Sequence, residues 1–130
     1  MTTILDTNVL VRHLTGDPPA QARRATSYLR SATDIVLLDV VLAELAYVLK
    51  SVYETPRKEV ANAARSTLTI PGVRVMDIAL LRRAIELYEV GPLSFEDAYI
   101  VAASESWGVG SVASFDRAFD RISTVTRVEP

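Results

Sequence analysis

The chain has 130 residues, 49% of them hydrophobic, a formal net charge of −2, no cysteine and one histidine, His13. That length suits a single compact domain, expected over residues 1–130, whose core needs no disulfide. The cysteine and histidine counts exclude, or leave short of parts, structural zinc, thiol nucleophiles, serine–histidine triads and histidine-pair ribonuclease chemistry, so any metal here must be held by oxygen.

Met1-Thr2-Thr3 leads straight into a short apolar strand, Thr3 to Leu5, without the segments of a signal peptide, and a cytoplasmic location is expected. Asp6-Thr7-Asn8 follows the strand, then a short helix from Val9 whose free amides Thr7 or Asn8 can cap. Asp17-Pro18-Pro19 breaks the chain and opens a second helix to about Arg30. Asp34 precedes the apolar run Ile35 to Leu38, read as a buried strand, and Asp39 caps a helix toward Ser51. Asp39 and Glu44 interrupt the longest apolar stretch, Ile35 to Leu49, and exclude it as a membrane span. Thr55-Pro56 starts the next helix, with proline at its first position, and Pro71-Gly72 ends that segment before a strand at Val73 to Val75. Asp77 opens a helix toward Val90, Gly91-Pro92 stops it, and Ser94-Phe95-Glu96-Asp97 begins another that ends near Trp107-Gly108. A strand at Val112 to Phe115, a short helix near Arg117 to Phe119 and an alternating strand, Thr124 to Val128, complete the chain.

Strands alternating with helices, and apolar without polar alternation, indicate a parallel sheet covered on both faces. The expected architecture is a three-layer α/β/α sandwich around a central parallel sheet of four to five strands. Such sheets bind ligands beyond the carboxyl ends of their strands, where Asp6 and Asp116 are expected.

Four acids stand out against this frame. Glu44 has Val40, Tyr47 and Val48 as neighbours at helical spacing, so its face is expected to be buried. A buried carboxylate either finds a cation or loses its charge. Asp97 has Ile100, Val101 and Ser104 beside it, although Ser94-x-x-Asp97 also has the form of a capping box, worth on the order of 1 kcal/mol. Asp116 reads equally as the N-cap of the short helix after Ser114-Phe115, with Asp120 competing for any functional role, and Asp6 as an Asx-turn residue. The coincidence favours function: two acids at strand ends and two on inward helical faces are positions that one sheet edge brings together. Carboxylates so clustered raise one another's proton affinity unless a cation compensates, which points to magnesium or manganese. With the four neutralised, the 14 basic residues face 12 acidic ones, and 12 of the 14 are arginine, suited to phosphate though also a common product of genome composition.

The ordered set Ile4-Leu5-Asp6-Thr7-Asn8-Val9-Leu10, the helix with Glu44, Ser94-Phe95-Glu96-Asp97-Ala98 and Ala113-Ser114-Phe115-Asp116 resembles that of PIN domains over nearly the whole chain. Within that family it looks like the VapC-type toxins of type II toxin–antitoxin systems. The resemblance implies a metal-dependent endoribonuclease, commonly a homodimer, inhibited by a small antitoxin that covers the acidic site. It places Asp6, Glu44, Asp97 and Asp116 at the catalytic, metal-holding positions, with Asn8 and Ser114 as supporting polar groups. Ser114-Phe115 favours Asp116 over Asp120 and leaves Phe119 as a core anchor.

The expected chemistry is hydrolysis of RNA phosphodiester bonds by water activated on one or two magnesium or manganese ions, without a protein nucleophile. Arg12, early in the helix after Asp6, is a candidate RNA contact, a role it shares in pattern with any solvated helical arginine, and His13 is expected at the surface or in a groove. The main alternative is a non-catalytic PIN-fold module that holds RNA or a protein, against which retention of all four acids argues. A phosphatase-like role for Asp6 calls for a second aspartate where Asn8 stands, and a phosphate-receiver domain calls for a placed lysine where only Lys50 and Lys58 exist. The apolar helix Val40 to Val52 offers a dimer or antitoxin surface, or simply core. No motif encodes which RNA is cut.

Overall fold

The computed structural model describes all 130 residues, Met1–Pro130. Six α-helices alternate with five short strands, every strand pair is parallel, and the chain divides into two compact units, Met1–Ile78 and Ala79–Pro130.

The first unit runs β1 (Thr3–Ile4), α1 (Thr7–Thr15), α2 (Pro19–Ser31), β2 (Ile35–Val36), α3 (Asp39–Ser51), α4 (Arg57–Leu68) and β3 (Val73–Arg74). Its sheet has the order β1-β2-β3, with Thr3 opposite Ile35 and Ile35 opposite Val73. Parallel neighbours cannot be joined by a tight turn, and each crossover here is a pair of helices. Hydrogen bonds from Leu5 N–H to Val36 O and from Leu37 N–H to Arg74 O, both 3.0 Å, carry the pairing past the strand ends. Leu5, Ile35 and Leu37 are buried with Leu10 of α1, Leu29 of α2, Leu42, Leu45 and Leu49 of α3, and Val60 of α4. Helix α1 starts two residues before the expected Val9, since Asp6 already holds the extended N-cap backbone, and neither Thr7 nor Asn8 caps it. It stops at Gly16, whose left-handed φ of 73° lets its N–H reach Arg12 O at 2.9 Å. A Cβ at Gly72 would collide with the Ala32 carbonyl oxygen, so the entry to β3 requires glycine.

The second unit runs α5 (Ile78–Glu89), α6 (Phe95–Trp107), β4 (Ser111–Ala113), a 3₁₀ turn (Arg117–Arg121) and β5 (Thr126–Val128). Strands β4 and β5 pair with Ser111 opposite Thr126 and Ala113 opposite Val128. Leu81, Ile85, Leu93, Phe95, Val101 and Phe119 form its core, and the Tyr88 and Phe95 rings lie 6.0 Å apart in a tilted pair. The two carboxylate oxygens of Glu105 on α6 accept from Nε and Nη2 of Arg83 on α5 at 2.7 and 3.0 Å.

The expected α/β architecture with parallel strands is present. The strands form two ladders, of three and two strands, rather than one continuous sheet, because each ladder closes within its own unit and the paired segments are only two or three residues long. No helix is long and apolar enough to cross a membrane.

Candidate functional site

Each unit carries two of the four acids, and their surroundings separate the roles left open by the sequence. Asp6 is the N-cap residue of α1, yet its side chain makes no capping hydrogen bond. The Asx-turn explanation therefore does not account for this carboxylate. It lines a cleft of about 280 Å³ together with Thr7, Asn8, Val11, Arg12 and Glu44. Within the cleft the Thr7 hydroxyl donates to Glu44 Oε2 at 2.9 Å. Thr7 is buried while Glu44 is exposed, so the bond fixes a surface carboxylate to a rigid point at the start of α1.

That exposure corrects the expectation for Glu44. Its neighbours Val40 and Tyr47 are 68% and 61% exposed. Helix α3 buries Val41, Leu42, Leu45, Ala46 and Leu49, a stripe at helical spacing that turns Glu44 to the opposite side. Its relevance rests on the cleft that it shares with Asp6.

In the second unit, Asp97 stands half-buried on the first turn of α6, beside exposed Ile100 and buried Val101 and Ser104. The capping explanation holds in part: Ser94 Oγ accepts from the Asp97 N–H at 3.1 Å. The cap uses the Asp97 backbone, whereas its carboxyl is pushed above the usual carboxylate range by burial first and by the negative charge of Asp116 next, with a hydrogen bond to Ser94 opposing. Asp116 does cap the 3₁₀ turn, its Oδ1 accepting from the Ala118 N–H at 2.9 Å, while its own N–H donates to Ser114 Oγ at 2.9 Å. One function does not exclude the other, because the cap engages a single oxygen. Asp120 is occupied otherwise: it pairs with Arg127 Nε at 2.9 Å. Phe119 is buried in the core of this unit as expected.

None of Asp6, Glu44, Asp97 and Asp116 forms an ion pair, in contrast to Asp34, Glu86, Glu105 and Asp120. Neither unit alone gathers three acidic or histidine side chains around one point. The donors available in each are oxygens, as a hard divalent cation prefers. His13 lies elsewhere, half-buried in a groove with its Nδ1 2.7 Å from Thr26 Oγ1, and its pKa is lowered by burial and by Arg30. Arg12 is half-buried; its guanidinium is held by Gln21 and by the Asn8 carbonyl, the latter at 3.2 Å. Sequence reasoning took Thr7 only as a possible cap and missed its bond to Glu44. The only local signal was a polar residue set between a short strand and a helix.

Comparison with known proteins adds the family. No match was found among curated proteins. A solved structure to which the chain is similar is that of VapBC2 from Rickettsia felis bound to a DNA fragment from their promoter, with 18% identity over 98% of this chain and 98% of that chain and a TM-score of 0.38, a likeness too slight to bear on fold or function. The model of the PIN domain matches residues 3–125, a span that takes in all four acids and both units. The chain belongs to the PIN domain family.

Proposed function

We propose that the protein is a metal-dependent endoribonuclease, the toxin of a toxin–antitoxin pair, whose residues 1–130 serve as one nuclease domain. Asp6, Glu44, Asp97 and Asp116 are the proposed ligands of one or two magnesium or manganese ions and the catalytic set. The observation that carries this reading is that the PIN match spans all four positions and that none of these carboxylates forms an ion pair with a cationic side chain. The elevated Asp97 pKa supports it, since a carboxyl held up by burial and by a neighbouring carboxylate gains most from a bound cation. When bound, such an ion activates water and offsets charge that grows on the phosphoryl oxygens.

The chain's own groups orient these ligands. Thr7 holds Glu44, and Ser114 holds the backbone of Asp116 through the hydrogen bond to its N–H. Asn8, exposed in the cleft, supplies a neutral amide beside Asp6, and Arg12 offers a guanidinium to an RNA phosphate. An antitoxin partner, a homodimer and a cytoplasmic site of action are proposed on the same family resemblance. A non-catalytic PIN module would share the fold without needing four acids free of ion pairs.

The test is incubation of purified protein with a mixed cellular RNA pool and magnesium or manganese, beside a chelator control. Defined fragments that vanish with chelator support the nuclease. Intact RNA together with no metal-induced rise in melting temperature would remove it.

A further inference from the structure

We infer that single-stranded RNA leaves the Asp6–Glu44 cleft along the α1–α2 hairpin, with Arg12 and Arg24 on its phosphates and the Tyr28 ring under a base. This rests on the nuclease reading of the cleft and deepens it by naming the path of the strand away from the acids. Charge is the first observation. Residues 7–31 contain four arginines and one aspartate, whereas the rest of the chain has ten basic and fifteen acidic side chains. The hairpin is therefore locally basic in a protein of net charge −2, with Arg12 and Arg24 in one groove and Arg23 and Arg30 in the separate groove that holds His13.

Geometry is the second. A groove of about 750 Å³ runs along this hairpin, walled by Asn8, Arg12, Gln21, Arg24 and Tyr28 among others. Asn8 and Arg12 also line the acid cleft, so the two depressions adjoin at these residues. Neither arginine forms an ion pair, and the Arg12 guanidinium is set in place by neutral acceptors on Gln21 and Asn8, which leaves its charge available to an anion. Tyr28 is 39% exposed beside Arg24 in the same wall. Two guanidinium groups free of ion pairs and an exposed ring in one groove suit a single strand, since unpaired bases can stack while phosphates track the charge. A polyglutamate peptide offers nothing to stack on the ring and would meet the Asp6 and Glu44 carboxylates where the groove adjoins the cleft.

The experiment measures fluorescence anisotropy of a labelled single-stranded RNA oligomer against intact protein in chelator, where nothing is cut, over a series of salt concentrations. Arg24→Ala is expected to flatten the log–log salt dependence by about 0.7. Tyr28→Leu is expected to weaken binding about fivefold or more while Tyr28→Phe binds as wild type. Arg23→Ala, in the separate groove that holds His13, should bind as wild type. The proposal is overturned if Arg24→Ala and Tyr28→Leu bind like the parent, or if the parent ignores RNA and binds a polyglutamate peptide instead. The nuclease reading stands or falls separately, on whether the wild-type protein cleaves RNA with magnesium and stops with chelator.

Discussion

Replacing Thr7 by valine removes the hydroxyl that donates to Glu44 Oε2 at 2.9 Å and keeps the shape of the buried side chain. On the Glu44 side the loss is mild, because that carboxylate is exposed and water can take the vacated position. The valine methyl replaces a buried hydroxyl, so the change in stability stays within about 1 kcal/mol. For a chain of this size that is a shift of about 4 °C in Tm. Thr7→Ser does the reverse: it keeps the donor and loses a buried methyl group, at a cost of about 1 kcal/mol. Thermal melts should therefore rank valine level with serine or above it. Cleavage should rank them the other way. If Thr7 acts by positioning Glu44, Thr7→Val lowers kcat about tenfold or more, in the range typical of groups that orient metal ligands, while Thr7→Ser stays near wild type. Paired measurements of Tm and of kcat on one RNA substrate decide the matter. Wild-type kcat in Thr7→Val, or an equal loss in both variants, would refute the positioning role.

Asp97 and Glu105 give pH signatures of opposite sign. Burial and Asp116 raise the Asp97 pKa, so the metal-free folded state prefers the proton and carries a penalty above that raised pKa, relieved as pH falls toward the ordinary carboxylate value. Asp97→Asn in chelator should melt above wild type at neutral pH, with the gap closing over that acidic window; equal melting at neutral pH would contradict it. The Arg83 hydrogen bond lowers the Glu105 pKa, so its contribution is fully present above the ordinary glutamate value and is lost as pH falls through the lowered one. Arg83→Met should cost about 1 kcal/mol at neutral pH, since the pair is partly screened by solvent. Acid titration followed by circular dichroism checks this, and an acid-unfolding midpoint unchanged from wild type would count against the pair.

Much of the fold was legible because local chemistry marks it. Helix α3 ends at Ser51 as expected but has Leu38 at its N-cap, so that Asp39 is its first helical residue and not the cap, whereas α6 opens on the Ser94 cap and closes on Gly108 as the sequence indicates. The strands proved shorter than their apolar runs: Leu37 and Leu38 follow Val36 in the sequence, yet the assigned strand ends at Val36. The face of Glu44 was misjudged for a physical reason. Helix α3 is apolar on several sides, and periodicity alone does not say whether the stripe of Val40 and Tyr47 or that of Leu42, Leu45 and Leu49 meets the core. The Thr7–Glu44 bond joins residues 37 apart in sequence, a distance at which no local pattern operates. At Asp97 and Asp116 the sequence offered capping and metal binding as alternatives, whereas Ser94 takes the Asp97 N–H and also bonds its carboxyl without cancelling the raised pKa, and the Asp116 cap engages a single carboxylate oxygen.

The central claim is that four carboxylates act as one catalytic set on RNA. Cleavage of a single RNA substrate with magnesium, by the wild-type protein beside Asp6→Asn, Glu44→Gln, Asp97→Asn and Asp116→Asn, tests it most directly once circular dichroism shows each variant folded. The account predicts defined fragments from the wild type and at least about a hundredfold less from each variant, a loss of more than 2.7 kcal/mol in transition-state stabilisation. Wild-type cleavage by any one of the four variants would remove that residue from the set, and wild-type cleavage by all four would contradict the claim outright.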